Sequence, residues 1–444
     1  MAVLSKAVVW LQGAPVIKNT CHETFHTWHE NCTMAWATTV PNGFKFSLKT
    51  YGTFYLASLI LSNKGDIRKI DWKKYVQNVL RSTVFLTMNL VLYFFFACKF
   101  RQLLGFYSIP NIGYLNGITA SFLAILIEKK SRRGSLALYL TNLASETVYR
   151  QLVNHGYLKF IPGGTFIPFS IGLALFKYLA SRNSLGKGLR GIVSSTLQDH
   201  PKAANPSVMA MGKAVKRTLP SPSLAMIEKL KVEYSRGVRC DHNNSCVYNA
   251  TKTFAHHAII GLCLKSILTI VSNIKRPTKI VDALLSRNNL QLPLFFGLMP
   301  LIYNSTRCAM NRMPVSDTAR DVVSAFAAGS AMTVYPTISI SMFTLWKAIE
   351  ALYTDLVDRG YLKWFKYGDI LLYSISTGYV LGCVSFEPHA VRKGYMHFLE
   401  GLSGNRLKLF NRHHFDCYGA ESSKLYGIPD EDFYPGHEMM KICL

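Results

Sequence analysis

Acidic residues are scarce in this chain. Asp and Glu number 25 against 50 Lys and Arg, and all charged residues together make up 17%. Soluble domains carry roughly a quarter of their residues as charges, so the shortage argues against an ordinary soluble fold. The signatures of common enzymes are missing as well. There is no G-x-S-x-G, no H-E-x-x-H and no phosphate-binding loop, and the Gly186-x-Gly188 pair stands alone without a nucleotide fold around it. No catalytic residue can be nominated, and the expectation is a non-enzymatic protein. A secretory leader is not expected, because Val8–Leu11 is too short for its apolar core. The final Met-Lys-Ile-Cys-Leu matches neither a peroxisomal nor a prenylation signal.

Apolar residues are what the chain has: 49% of 444, with Tyr, Phe, Gly, Ser and Thr frequent enough to hold the mean hydropathy at +0.15. Uncharged runs near the roughly 17–20 residues that a membrane helix needs recur at Ser82–Cys98, Leu103–Ile127, Phe160–Phe176, Leu290–Thr306, Val322–Trp346 and Ile370–Phe386. Weaker candidates are Phe46–Ser62, Ser135–Val153 and Phe254–Ile274. Pro110 should delay the second run's helix, and Pro336 should kink or split the fifth. The reading is an all-α, multi-pass helical membrane protein with eight to ten membrane segments. The net charge of +25 would suit nucleic acid, but the cations sit in short clusters between apolar runs. That pattern fits loops facing anionic lipid headgroups, so the expected partner is the bilayer, with anionic lipids, and no nucleic acid is expected.

The chain repeats itself. Shifted by 204 residues, Ser135–Phe160 falls on Ser339–Trp364 without gaps, and ten of 26 positions are identical, including Gly156–Lys159 against Gly360–Lys363. Chance would give about two. Duplication is the simplest account, and it predicts two tandem related helical bundles. The divisions are an N-terminal Cys/His segment over 1–45, a first membrane repeat over 46–180, a polar basic linker over 181–253, a second repeat over 254–390, and a polar tail over 391–444. An amphipathic helix is expected in the linker at Leu224–Tyr234. Parallel and inverted halves both remain open.

Three groups of residues stand out. Each repeat is preceded by a cluster that suits either a short disulfide or a zinc ion: Cys21, His26, His29 and Cys32 in the first, and Cys240, His242 and Cys246 in the second. Packed free cysteines are a third reading, and Cys98, Cys263, Cys308 and Cys383 are read only as small packing residues in apolar segments. Glu146 and Glu350 occupy matching positions in apolar segments, where a carboxylate is costly and often functional. Arg150 and Lys347 stand at helical spacing to neutralise them. Lys129, Lys130, Arg132 and Arg133 close an apolar segment and read as a topological anchor at the lipid headgroups.

The motif Cys21-His22-x-x-x-His26-x-Trp28-His29-x-x-Cys32, the run Ala124–Gly134 through Glu128-Lys129-Lys130-Ser131-Arg132-Arg133, Asn142–Thr147, Thr337–Met342 and Asp369–Thr377 together resemble the transmembrane protein 135 family. The family is itself distantly similar to the Tim-type mitochondrial translocase and small peroxisomal membrane protein group. The resemblance runs to about residue 420. It implies a mitochondrial or peroxisomal membrane protein that regulates mitochondrial fission and lipid and energy metabolism, with the fission machinery as a partner. The competing reading is a translocator of lipid or polypeptide using the seam between the repeats. A polar seam lined by Glu146, Glu350, Ser and Gly would favour translocation, and one packed with apolar side chains a scaffold.

Overall fold

In the computed structural model the described residues are 15–63, 66, 68, 70–159, 161, 163–197, 240, 242, 245–273, 282, 284, 286, 288–419 and 422–426. Among them helices dominate and no strand is found. A single antiparallel bridge pairs Ile17 with Tyr107. Ten principal helices carry the fold: α1 (Thr39–Ser62), α2 (Trp72–Leu104), α3 (Leu115–Ile125), α4 (Lys130–Asn154), α5 (Phe166–Ser181), α6 (Cys246–Ser272), α7 (Asn288–Met310), α8 (Asp317–Ala328), α9 (Ile338–Asp358) and α10 (Gly368–Phe386). A shorter helix, α11 (Lys393–Ser403), opens the tail. The amphipathic helix expected at Leu224–Tyr234 lies outside the described residues, as do most of the linker and the end of the tail.

Local chemistry sets the helix limits. Asp71 caps α2 by accepting from the Lys74 amide at 3.0 Å, and Gly105, in the left-handed region at φ 83°, ends it. Pro110 opens one π-helical turn, Pro110–Tyr114, ahead of α3, so the apolar run there does start its helix late. Pro336 falls between a 3-10 turn, Gly329–Thr333, and α9, so it splits its run into two helices. The repeated Gly-Tyr-Leu-Lys motifs end α4 and α9 in the same way. Gly156 and Gly360 have φ of 75° and 78°. The amides of Tyr157 and Leu158 return to the Leu152 carbonyl at 2.9 and 3.1 Å, and those of Tyr361 and Leu362 to the Leu356 carbonyl at 2.9 and 3.2 Å. Only glycine takes that backbone without strain.

Among the described residues three helices are long and apolar enough to cross a membrane: α2, α6 and α10, with α5 shorter but apolar. The expectation of eight to ten segments is therefore not met by length and composition among the described residues. Lys45 and Lys49 interrupt α1, the second run divides between α2 and α3, and α3 has only 11 residues.

The chain forms two compact units, one of residues 1–159 with 365–444 and the other of 160–364. They are not the bundles expected at 46–180 and 254–390. Each unit takes the first four helices of one half and the fifth helix of the other. In the first unit α10, from the second half, packs on α3 and α4; in the second, α5, from the first half, packs on α8 and α9. The remaining contacts also match: α1 on α2 and α2 on α3 correspond to α6 on α7 and α7 on α8. The register is kept as well. In the first unit Ser376 of α10 meets Thr141 of α4, with hydroxyl oxygens 3.1 Å apart. Shifting both by 204 residues gives Gly172 and Leu345, and in the second unit a Cβ on Gly172 would lie 3.1 Å from the Leu345 nitrogen.

Candidate metal centres and buried ion pairs

The first Cys/His cluster lies on an arm fastened to the end of α2. Backbone bonds between Ile17 and Tyr107, at 2.8 and 2.9 Å, hold its start. Arg101 of α2 donates to the carbonyls of Lys18 and Asn19 at 2.6 and 3.0 Å. Thr20 and Glu23 form a capping box that winds one turn at Cys21–Thr24. Phe25 then drops fully buried against Tyr93, Phe94, Tyr107 and Phe410. Asn31 starts the next helix, Cys32–Ala37, accepting from the Thr33 amide at 2.8 Å. These constraints bring Cys21, His26 and Cys32 to Cys98 of α2, with their donor atoms all within 4.8 Å of one another.

The His26 ring is nearly sealed from solvent at 1% exposure. Its Nδ1 donates to the His29 carbonyl at 2.8 Å, and its Nε2 is buried without a hydrogen-bond partner. His29 itself stays outside the group: its Nδ1 accepts from the Asn31 amide at 3.0 Å and shapes the turn. Hydrogen bonding from Cys98 pulls the Cys21 thiol down to about 4 against its burial. Burial pushes the Cys32 thiol up.

The second cluster is built by other means and yields the same donors. Ser245 caps α6 by accepting from the Tyr248 amide at 3.2 Å, which fixes Cys246 as the first residue of the helix. Cys240 and His242 precede it, and Cys308 comes from the last turn of α7. Again all four donor atoms lie within 4.8 Å. Cys240 and Cys246 place their sulfurs 3.8 Å apart, His242 Nε2 is 3.3 Å from Cys308 Sγ, and Asn311 donates to Cys240 Sγ at 3.5 Å.

Cys98 and Cys308 therefore join groups in which the sequence had not placed them, having been read as packing residues. The signal that marks them is positional: each stands near the C-terminal end of the second helix of its half. The distance along the chain, 66 residues from Cys32 to Cys98 and 62 from Cys246 to Cys308, hides the connection.

The matched glutamates have different surroundings. Glu146 is 1% exposed in the first unit, paired with Arg150 at 2.7 Å and also with Arg392, whose Nε lies 3.0 Å away. The Arg150 pair follows from helical spacing, whereas Arg392 arrives from the tail. Glu350, in the second unit, is partly exposed and pairs with Lys347. The basic run divides too. Arg132 turns inward, donating to Ser82 at 2.6 Å and to buried Glu128 at 3.2 Å and lying over the Tyr55 ring. Arg133 donates to the carbonyls of Glu128 and Leu126, holding the α3–α4 turn. Lys130 is exposed, and Lys129 lines a basic cleft with Lys73, Lys74 and Arg81.

The tail over 391–444, polar in sequence, is not a loose appendage in its described part. In the first unit its described part packs into the core. Arg412 is 1% exposed and donates to the Val384 and Ser385 carbonyls at 3.0 and 3.1 Å. Its guanidinium lies 3.9 Å from the Tyr426 ring centre. His414 hydrogen-bonds Thr24 Oγ1 at 3.0 Å, which ties the tail to the N-terminal arm.

Against known proteins, residues 18–153 match the family model of the N-terminal cysteine-rich region of Transmembrane protein 135. The matched stretch runs from the arm to the last turn of α4 and contains all four donors of the first centre. No solved structure matches the chain.

Proposed function

Over residues 18–153 the chain is a member of the transmembrane protein 135 family, and from that premise we propose that it is a non-enzymatic scaffold or regulator. It would act in the mitochondrial or peroxisomal membrane, on fission and on lipid and energy metabolism. The family resemblance carries the organelle and the process. The choice of scaffold over translocator rests on one observation, the closure of the crossing between helices of the two halves.

That crossing is the contact of α3 and its preceding turn with α10. A Cβ on Gly113 would stand 2.7 Å from the Gly382 Cα, and one on Gly117 would stand 2.9 Å from the Gly378 Cα. Four glycines thus bring the two backbones into direct contact at this crossing. The buried polar groups beside them bond to each other. Asn89 donates to the Tyr373 hydroxyl at 3.0 Å and accepts from Ser121 at 3.3 Å. Polar side chains committed in this way rigidify a packed interior.

Two measurements test the reading. Fluorescent tagging should place the protein on mitochondria or peroxisomes, and alkaline carbonate should leave it with the membrane. Purified protein in liposomes should then move labelled phospholipid no faster than empty liposomes. Protein-dependent transfer, lost when Gly378 is enlarged, would establish the translocator instead.

A further inference from the structure

We propose that each unit holds one structural zinc-type ion in a Cys3His site, one made by Cys21, His26, Cys32 and Cys98 and the other by Cys240, His242, Cys246 and Cys308. Each set supplies three sulfurs and one imidazole with every donor within 4.8 Å of the others. A tetrahedral zinc with metal–sulfur bonds of about 2.3 Å and a metal–nitrogen bond of about 2.0 Å puts its sulfurs about 3.8 Å apart and its nitrogen about 3.5 Å from each sulfur. The observed Cys240–Cys246 and His242–Cys308 separations are 3.8 and 3.3 Å.

Disulfides account for less. A disulfide consumes two thiols, leaving the third and the imidazole without a role, whereas a metal uses all four. The imidazole of the first set is arranged as ligating histidines usually are. With His26 Nδ1–H held by the His29 carbonyl at 2.8 Å, the lone pair is fixed on Nε2, which is buried without a hydrogen-bond partner. The two sets also reach the same chemistry through different local sequences. Four residues separate Cys21 from His26, and one separates Cys240 from His242. In both, the fourth ligand comes from the end of a long helix. Binding would displace the protons of whichever thiols are not already ionised. The ion in each unit would then fasten the segment carrying its first three ligands to the end of α2 or of α7.

The test uses full-length protein in detergent, purified without added metal. Elemental analysis should find two zinc ions per chain, with Cys98→Ser and Cys308→Ser each reducing the content to one and the double variant to none. Chelation followed by cobalt(II) should give the d–d bands of a tetrahedral site together with sulfur-to-cobalt charge transfer. Both should fall by half in each single variant. The cobalt spectrum of the wild-type protein decides the matter even if a variant fails to fold. Octahedral cobalt bands in the wild-type protein would overturn the proposal. So would zinc content unchanged by either substitution, or a Cys21–Cys32 or Cys240–Cys246 disulfide found by non-reducing mass spectrometry.

Discussion

Glu146 and Glu350 occupy the same register position, and what separates them is burial. Glu146 is sealed between Arg150 and Arg392, and its removal leaves two guanidiniums facing a site built for a carboxylate. Both arginines reach solvent in part, so the cost falls below that of a fully buried pair. Glu146→Gln should destabilise the protein by about 1–3 kcal/mol. Glu350 and Lys347 are each 38% exposed, and exposed pairs contribute less than about 1 kcal/mol. Glu350→Gln should therefore leave the thermal midpoint in detergent nearly unchanged. Equal losses in the two variants would contradict the assigned environments. His414 gives a pH dependence. Burial holds its imidazole down at about 4, while an unfolded histidine titrates near 6.5. The folded state therefore prefers the neutral ring. Its contribution is fully present above about pH 6.5 and is lost as the pH falls towards 4, by up to about 3 kcal/mol. In that neutral ring Nδ1–H donates to Thr24 and Nε2 accepts from Asn411 at 3.1 Å. Replacing His414 with Gln should flatten stability between pH 6.5 and 4, as read by denaturant midpoints.

Among the helices, the crossing of α3 and α10 depends most on residue size. A Cβ at Gly378 would come 2.3 Å from Ile118 Cγ1 and 2.8 Å from the Ile118 backbone nitrogen. Because backbone cannot swing aside as a side chain does, Gly378→Val should cost about 1–3 kcal/mol or more. Gly134 in α4 is the control, since nothing lies within 4 Å of a Cβ placed there. Gly134→Ala should raise stability by roughly 0.5–1 kcal/mol through helix propensity. Parallel thermal melts would read both, and a harmless Gly378→Val would mean that the two helices do not meet as described. The glycines themselves were visible in the sequence. Which of them face another backbone was not, since a glycine in an apolar run looks the same whether it touches lipid or a neighbouring helix.

For the whole molecule, the exchanged fifth helices can be tested by cross-linking. Thr141 of α4 and Ser376 of α10 belong to different halves of the sequence, yet their hydroxyls are 3.1 Å apart. A variant carrying Thr141→Cys with Ser376→Cys should close a disulfide under mild oxidation. Cleavage of the linker should then leave the two halves joined on a non-reducing gel. Absence of the cross-link, with the variant folded, would return α10 to the bundle of its own half. The simple division at 181–253 does not hold because each half's fifth helix packs in the unit of the other half. Five per half, with the fifth given away, allow each unit to be completed by the other half's chain.

Several features needed no tertiary structure. Runs of uncharged residues imply helices, because a backbone surrounded by lipid must bond within its own segment. The 204-residue repeat is plain from aligning the sequence with itself, and the identical glycine ends of α4 and α9 and the Glu146–Arg150 and Lys347–Glu350 pairs are local, set by residues within a few positions of one another. Contacts between distant segments were settled only by folding. Cys98 and Cys308 become possible ligands because a long helix returns its end to the arm before it. Arg392 reaches Glu146 across 246 positions, and α5 and α10 leave their own halves to complete the opposite units. Hydropathy and spacing report what a segment requires of its surroundings, namely burial, a counter-charge or a fourth donor. Which distant segment meets that requirement is decided by packing.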